Sequence, residues 1–421
     1  MEDKITSLFP MILLLIIISQ VVYKSIKNKN QGALFNPLNF VCIYYAYYVI
    51  VPYFFSKGNI YRDMAYTSGI SYLIWGTLIS FVFIIVGFRW KFQLLDISKV
   101  NSLYSDKNSL RLSVWLFAIG FIGYAIFNGF SFNVVRIQEE MVDAGANIFN
   151  HSDSYVTNLV SLFPVAICLA YYKRSNKFVL IIGIIGSICA LMGGARWKFI
   201  LLLLPFVVFY HLYPNVRRIN WKVWIPTFFI FYFSMGIIEQ TRNYGSGLDI
   251  QKLQNLDTED MTQGASEKEF VYYFSAKVMD VYSNEEPLYF ESLYTALTMP
   301  IPRAIFPWKP DAQYLRDANL KVFGTVSHGA AYLNIVESYL AFRWIGIIVN
   351  GLFLGLLCGA FWRNYQKNNK SIGAIIFLGL FNGVLFVLIS RGYLAQELQV
   401  FVYYIFIVHW ISLLINKLYK K

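Results

Sequence analysis

The chain is poor in charge, in cysteine and in histidine. Only 14% of its 421 residues are charged, against about a quarter in a soluble domain, so an ordinary water-soluble globule is excluded. Cys42, Cys168, Cys189 and Cys358 stand singly inside apolar runs. That spacing excludes a disulfide framework and a cysteine zinc site. His151, His211, His328 and His409 are just as scattered, so no protein-held metal and no cofactor is expected. Internal repeats and low-complexity tracts are also missing, which excludes solenoids and arrays.

What is present is apolar. Hydrophobic residues make up 57% of the chain and aromatics 19%, gathered in runs of about 18 to 20 residues, each able to cross roughly 30 Å of hydrocarbon. Barrel strands would be shorter and strictly alternating. The expected fold is all-α: a polytopic membrane protein with one integral domain over residues 1–421 and about eleven transmembrane helices. The runs fall near 6–23, 38–56, 70–88, 112–130, 155–172, 178–194, 199–213, 223–239, 344–362, 371–389 and 397–416.

Charge sets the expected orientation. Glu2, Asp3 and Lys4 precede the first run and Lys24, Lys27 and Lys29 follow it, the reverse of a signal peptide. With the N-terminus outside and the C-terminus inside, the inner loops hold more than half of the 36 basic residues but only Asp96 and Asp106 of the 24 acidic ones. The net charge of +12 therefore reads as the orientation bias of a membrane protein rather than a nucleic-acid surface. One long hydrophilic interval, residues 240–343, then lies outside. Its stretch from Phe270 to Trp308 is aromatic-rich and is expected to form short interfacial helices.

Several cations contradict the bias. Arg196 and Lys198 occupy the tight turn Met192-Gly193-Gly194-Ala195-Arg196-Trp197-Lys198, and Arg391 stands in Ile389-Ser390-Arg391-Gly392-Tyr393. An arginine at membrane depth is costly unless it meets an anion, whereas Lys198 is read as snorkelling to headgroups. Arg303 is framed by Pro300, Pro302, Pro307 and Pro310, which stiffen the backbone. With Arg242, Lys309 and Arg316 these residues suit a phosphate or pyrophosphate, because guanidinium groups grip phosphate oxygens in pairs and stay charged. Arg196, Arg303 and Arg391 are expected to converge on one cavity.

The acid–base candidates in this region are His328, Glu337, Glu291 and Glu239. His328 reads equally as a hydrogen-bonded loop histidine. Glu337 and Arg343, six apart on one helix, read equally as a structural ion pair.

The Gly-Gly-Ala-Arg turn, the segment Pro302-Arg303-Ala304-Ile305-Phe306-Pro307-Trp308-Lys309-Pro310 and the helix entry Glu337-x-Tyr339-Leu340-x-Phe342-x-x-x-Gly346, in a layout of about eleven spans with a large late outer loop, resemble the Wzy-type O-antigen polymerases. These join oligosaccharide repeat units. The family often has Gly-Ser-Arg where this chain has Gly-Gly-Ala-Arg, and an Arg-x10-Gly pattern of some members is missing at Arg196, Arg242 and Arg303. The resemblance implies a metal-independent GT-C-like glycosyltransferase at the periplasmic face of the bacterial inner membrane. Its substrates would be oligosaccharides on undecaprenyl pyrophosphate, and a chain-length co-polymerase would be a partner besides membrane lipids. His328 loosely matches a functional histidine of the related O-antigen ligases. Two rival readings remain: such a ligase, and a flippase or transporter, which would spread its charges through the spans.

Overall fold

In the computed structural model the described residues are 6–27, 31–55, 69–91, 104, 109–127, 158–192, 196–214, 242–243, 247–248, 266–298, 301, 305–308, 313–323 and 331–418. They form helices α1 (Leu8–Lys27), α2 (Pro37–Phe55), α3 (Gly69–Arg89), α4 (Ser109–Phe127), α5 (Phe163–Tyr172), α6 (Asn176–Met192) and α7 (Arg196–Leu212). A two-residue hairpin pairs β1 (Arg242–Asn243) with β2 (Gly247–Leu248). There follow α8 (Ser266–Val281), α9 (Glu291–Thr298), α10 (Gln313–Phe323), α11 (Asn334–Lys367), α12 (Ile372–Ser390) and α13 (Leu394–Leu418).

Seven of these, α1 to α4 and α11 to α13, are long and apolar enough to cross a membrane. Shorter apolar helices at Asn158–Tyr172, Asn176–Cys189 and Trp197–Leu212 coincide with three further runs. The run at 223–239 lies outside the described residues. Both α2 and α13 contain a π turn, at Ala46–Ile50 and Val402–Ile407.

By packing, the chain divides into two compact units. The first comprises residues 1–95, 266–363 and 385–399. Its backbone-to-backbone packing is set by glycines. Gly351, Gly355 and Gly359 recur every fourth residue on one face of α11 and meet the carbonyls of Ser80, Ile84 and Phe88, the matching positions on α3. Gly87 of α3 returns the contact against the Leu352 carbonyl. Small residues at that spacing let helices approach by their backbones. At the cytoplasm-directed end of the expected orientation, Arg363 Nη1 donates to the Phe88 carbonyl at 2.9 Å, satisfying an orphan acceptor of the α3 C-terminus.

The expectation that Phe270 onward lies at an interface fails for α8. Val271, Tyr272, Phe274, Ala276, Val278 and Met279 are buried, and Gly69 seats the start of α3 directly on the Ala276 carbonyl. The aromatics that signalled an interface are core side chains here, because α8 is covered on most of its circumference.

α11 bends sharply. Phe342 and Arg343 leave helical geometry, Arg343 with φ 55°, a backbone region costly for a side chain with a Cβ. Asn350 Nδ2 donates to Ser338 Oγ at 2.7 Å, although twelve residues of straight helix would separate them by about 18 Å. The short arm, 334–341, is thus folded back along the long arm from residue 344, with Gly346 against the Ser338 carbonyl.

The second unit comprises residues 96–265, 364–384 and 400–421. Ser113 of α4 donates to the Ala166 carbonyl of α5 at 2.7 Å. Phe117 contacts Phe121, Phe163 and Phe178. Gly120 and Gly186 leave room for the Phe163 ring.

Candidate functional site

The first unit holds a buried acid with an organised surround. Glu337, on the short arm of α11, is 5% exposed. Tyr314 of α10 donates to Oε1 at 2.7 Å and Tyr332 donates to Oε2 at 2.9 Å. The Leu394 amide, first in α13, adds a bond to Oε1 at 3.3 Å. A carboxylate has about four acceptor positions. Oε1 therefore has two filled, whereas among the described residues Oε2 accepts from Tyr332 alone. The N-terminal end of α13 also presents positive partial charge to the group.

Three local features hold this arrangement. The Leu333 amide donates to Ser275 Oγ at 3.0 Å, and the Tyr332 ring lies 5.9 Å from that of Phe274, so α8 fixes the segment leading to Glu337. The break between α12 and α13 is fastened to the same segment, because the Gly392 amide donates to the Tyr332 carbonyl at 2.6 Å. Only glycine permits this approach, since a Cβ at 392 would stand 2.5 Å from the Leu333 carbonyl and 2.6 Å from Tyr332 Cδ2. Tyr393, buried, has its ring 6.4 Å from that of Tyr314. Arg391 is held in this same turn, its carbonyl accepting from the Tyr393 amide at 2.7 Å.

Burial pushes the Tyr314 and Tyr332 phenols well above their usual range, and the charge of Glu337 beside them adds to it. Both therefore keep their protons and serve as donors.

Among the sequence candidates, Arg391 stands in the turn that leads to the Leu394 amide bonded to Glu337. Glu291 is exposed at the first turn of α9. Partial desolvation and the nearby Asp317 of α10 raise its carboxyl, and among the described contacts none joins it to Glu337. Glu337 does not pair with Arg343: the bend at 342–343 breaks the helical spacing, and Arg343 instead donates to the Glu285 carbonyl and lies 5.0 Å from the Tyr339 ring. Arg196 begins α7, Arg242 lies in β1 and Arg316 in α10, but their side chains are outside the described residues. Arg303, Lys309, His328 and Glu239 lie outside them entirely. Lys198 reaches the Trp197 ring at 5.8 Å.

Glu397 was missed. It is buried in the first turn of α13, and its Oε1, with Asn334 Oδ1, has no hydrogen-bond partner among the described residues. The signal was available: an acid in an apolar run is a functional candidate by default. Tyr332 carried no such signal, because a tyrosine in an aromatic-rich loop is unremarkable until its partner is known.

A family model described as O-antigen polysaccharide polymerase Wzy matches residues 3–421. No curated protein and no solved structure matches.

Proposed function

The chain belongs to the O-antigen polysaccharide polymerase Wzy family, and from that premise we propose that Glu337 is the general base of the polymerisation it carries out. The protein is an O-antigen polymerase, a multi-pass membrane glycosyltransferase acting on lipid-linked repeat units. The observation that carries the assignment of Glu337 is its clamp, a buried carboxylate with three donors, of which Tyr332 alone among the described residues reaches Oε2, next to an arginine turn.

In the proposed step the hydroxyl of the incoming repeat unit attacks the anomeric carbon of the growing chain. The bond from that carbon to pyrophosphate breaks as the new glycosidic bond forms. The hydroxyl proton passes to Glu337 Oε2, and undecaprenyl pyrophosphate leaves with the electron pair. Arg391 meets the charge that gathers on the leaving group. Arg196, Arg242, Arg303, Lys309 and Arg316 are proposed as further phosphate contacts on the chemistry of their side chains, and His328 and Glu291 as secondary acid–base groups. The wider proposal is a GT-C-like enzyme of about eleven spans in the inner membrane, its N-terminus and site toward the periplasm, independent of metal, and working with a chain-length co-polymerase.

The test is Glu337→Gln in a strain lacking the chromosomal copy. Lipopolysaccharide gels should collapse from a ladder to core bearing a single repeat, with protein level unchanged. A normal ladder would remove Glu337 from the reaction. Purified protein in liposomes with EDTA should still lengthen lipid-linked chains, and its arrest by EDTA would remove the metal-free mechanism.

A further inference from the structure

α9 is amphipathic with its polarity reversed. Ser292, Thr295, Ala296 and Thr298 face the protein and are buried, whereas Leu293, Tyr294 and Leu297 face outward, Leu297 being 59% exposed. A helix meant for water sorts its residues the other way. Tyr289 and Phe290 before the helix and Ile301, Ile305 and Trp308 after it are exposed as well, Trp308 to 78%. So many exposed large apolar residues in one stretch mark a contact surface rather than scattered surface residues.

Backbone bonds fix the level at which this surface sits. The Leu288 and Tyr289 amides donate to the Leu340 and Ala341 carbonyls at 2.8 and 2.9 Å. Phe342 lies edge-on to Tyr289 and Phe290, at 6.0 and 5.0 Å. Arg343 donates to the Glu285 carbonyl. Residues 285–290 are therefore fastened to the bend of α11, where its membrane-spanning arm begins. On that arm Ile345, Val349 and Phe353, four apart, form an exposed apolar stripe. The segment that leads into α9 is thus anchored at the end of the long arm from which this stripe runs.

We propose that Phe290, Leu293, Tyr294, Leu297 and Trp308 dock on the lipid surface at the edge of the bilayer, and that this contact sets the depth of the short arm carrying Glu337. Lipid is the occupant because the segment carrying the face is fastened where a spanning helix with an exposed apolar stripe begins and because tyrosine and tryptophan pair an apolar ring with a polar tip suited to headgroups. The inference goes beyond the catalytic assignment and does not rest on it.

The test places a nitroxide at Leu297→Cys, at Leu293→Cys and, for comparison, at Glu286→Cys, an exposed polar position. The full chain is reconstituted in nanodiscs of phosphatidylethanolamine and phosphatidylglycerol. Labelled wild type supplies the background from Cys42, Cys168, Cys189 and Cys358, all buried. Relaxation by dissolved oxygen should exceed relaxation by a water-soluble nickel chelate severalfold at 297 and 293, and the ratio should reverse at 286. Nickel access at 297 and 293 equal to that at 286 would overturn the proposal in favour of water. Shielding from both reagents would overturn it in favour of a protein partner or a second copy of the chain.

Discussion

The hydroxyl of Tyr314 donates to Glu337 Oε1 at 2.7 Å across 23 residues of sequence. That bond joins α10, in the polar interval between spans, to the first turns of the helix that re-enters the membrane. It makes the depth and orientation of one carboxylate depend on a loop element. The matching bond from Tyr332 comes from the segment fastened to the arginine turn, so the acid is oriented from both sides.

Removing the two phenols should have unequal effects. Tyr314→Phe leaves the Leu394 amide on Oε1, whereas Tyr332→Phe leaves Oε2 with no donor among the described residues. Each bond to a charged acceptor is worth about 1.5 to 3 kcal/mol, so both variants should melt at lower temperature in detergent. Chain lengthening should fall further in Tyr332→Phe, because Oε2 is the oxygen proposed to take the proton. Equal rates in the two variants would count against that choice of oxygen.

Gly392→Ala should separate the arginine turn from the segment that carries Tyr332. Its Cβ would meet a carbonyl and an aromatic ring at 2.5 and 2.6 Å, and neither is the far end of a flexible side chain. The expected outcome is protein that inserts in the membrane in reduced amount and gives only single-repeat lipopolysaccharide. A full ladder at normal level would mean that the close approach is not needed.

Seven helices of spanning length were legible in the sequence because apolar runs of that length have few other uses. The polar interval was read less well, and for a physical reason. In α8 aromatic content pointed to an interface, yet Tyr272 and Phe274 are core residues; composition does not say which side of a helix is covered. Glu337 was singled out, but its supposed partner Arg343 assumed a straight helix. The bend at 342–343, stabilised by Asn350 on Ser338 and by Gly346, depends on contacts that spacing alone does not reveal. Glu397 and the four-residue glycine spacing of α11 are both visible in the sequence.

Arg391→Lys should not rescue Arg391→Ala. Lysine keeps the charge but loses the planar fork that holds two phosphate oxygens at once, so both variants should lose polymer. With a lipid-linked donor in liposomes, the expected effect is a lower turnover at saturation on the order of 10²-fold or more, as for the loss of a preplaced transition-state donor. If lysine restores turnover fully, Arg391 acts through charge alone and bidentate recognition is wrong.

The glycine row of α11 makes the strongest stability prediction. A Cβ on Gly355 would collide with the backbone of Ile84, and Cβ atoms on Gly351 and Gly359 would stand 2.8 Å from the Ser80 carbonyl and 2.6 Å from the Phe88 carbonyl. Backbone cannot turn aside as a side chain can, so even Gly355→Ala must push α3 and α11 apart. The damage should reach Glu337, because the short arm is folded against the long arm through Ser338, Gly346 and Asn350. Gly355→Ala should therefore lower the melting temperature and the length of polymer together, and Gly355→Leu should leave no folded protein in the membrane. Phe353→Leu, on the outward stripe of the same helix, should change neither. If Gly355→Leu accumulated to the wild-type level with an unchanged melting temperature, the backbone contact between α3 and α11 would not exist, and the path from that packing to Glu337 would fall with it.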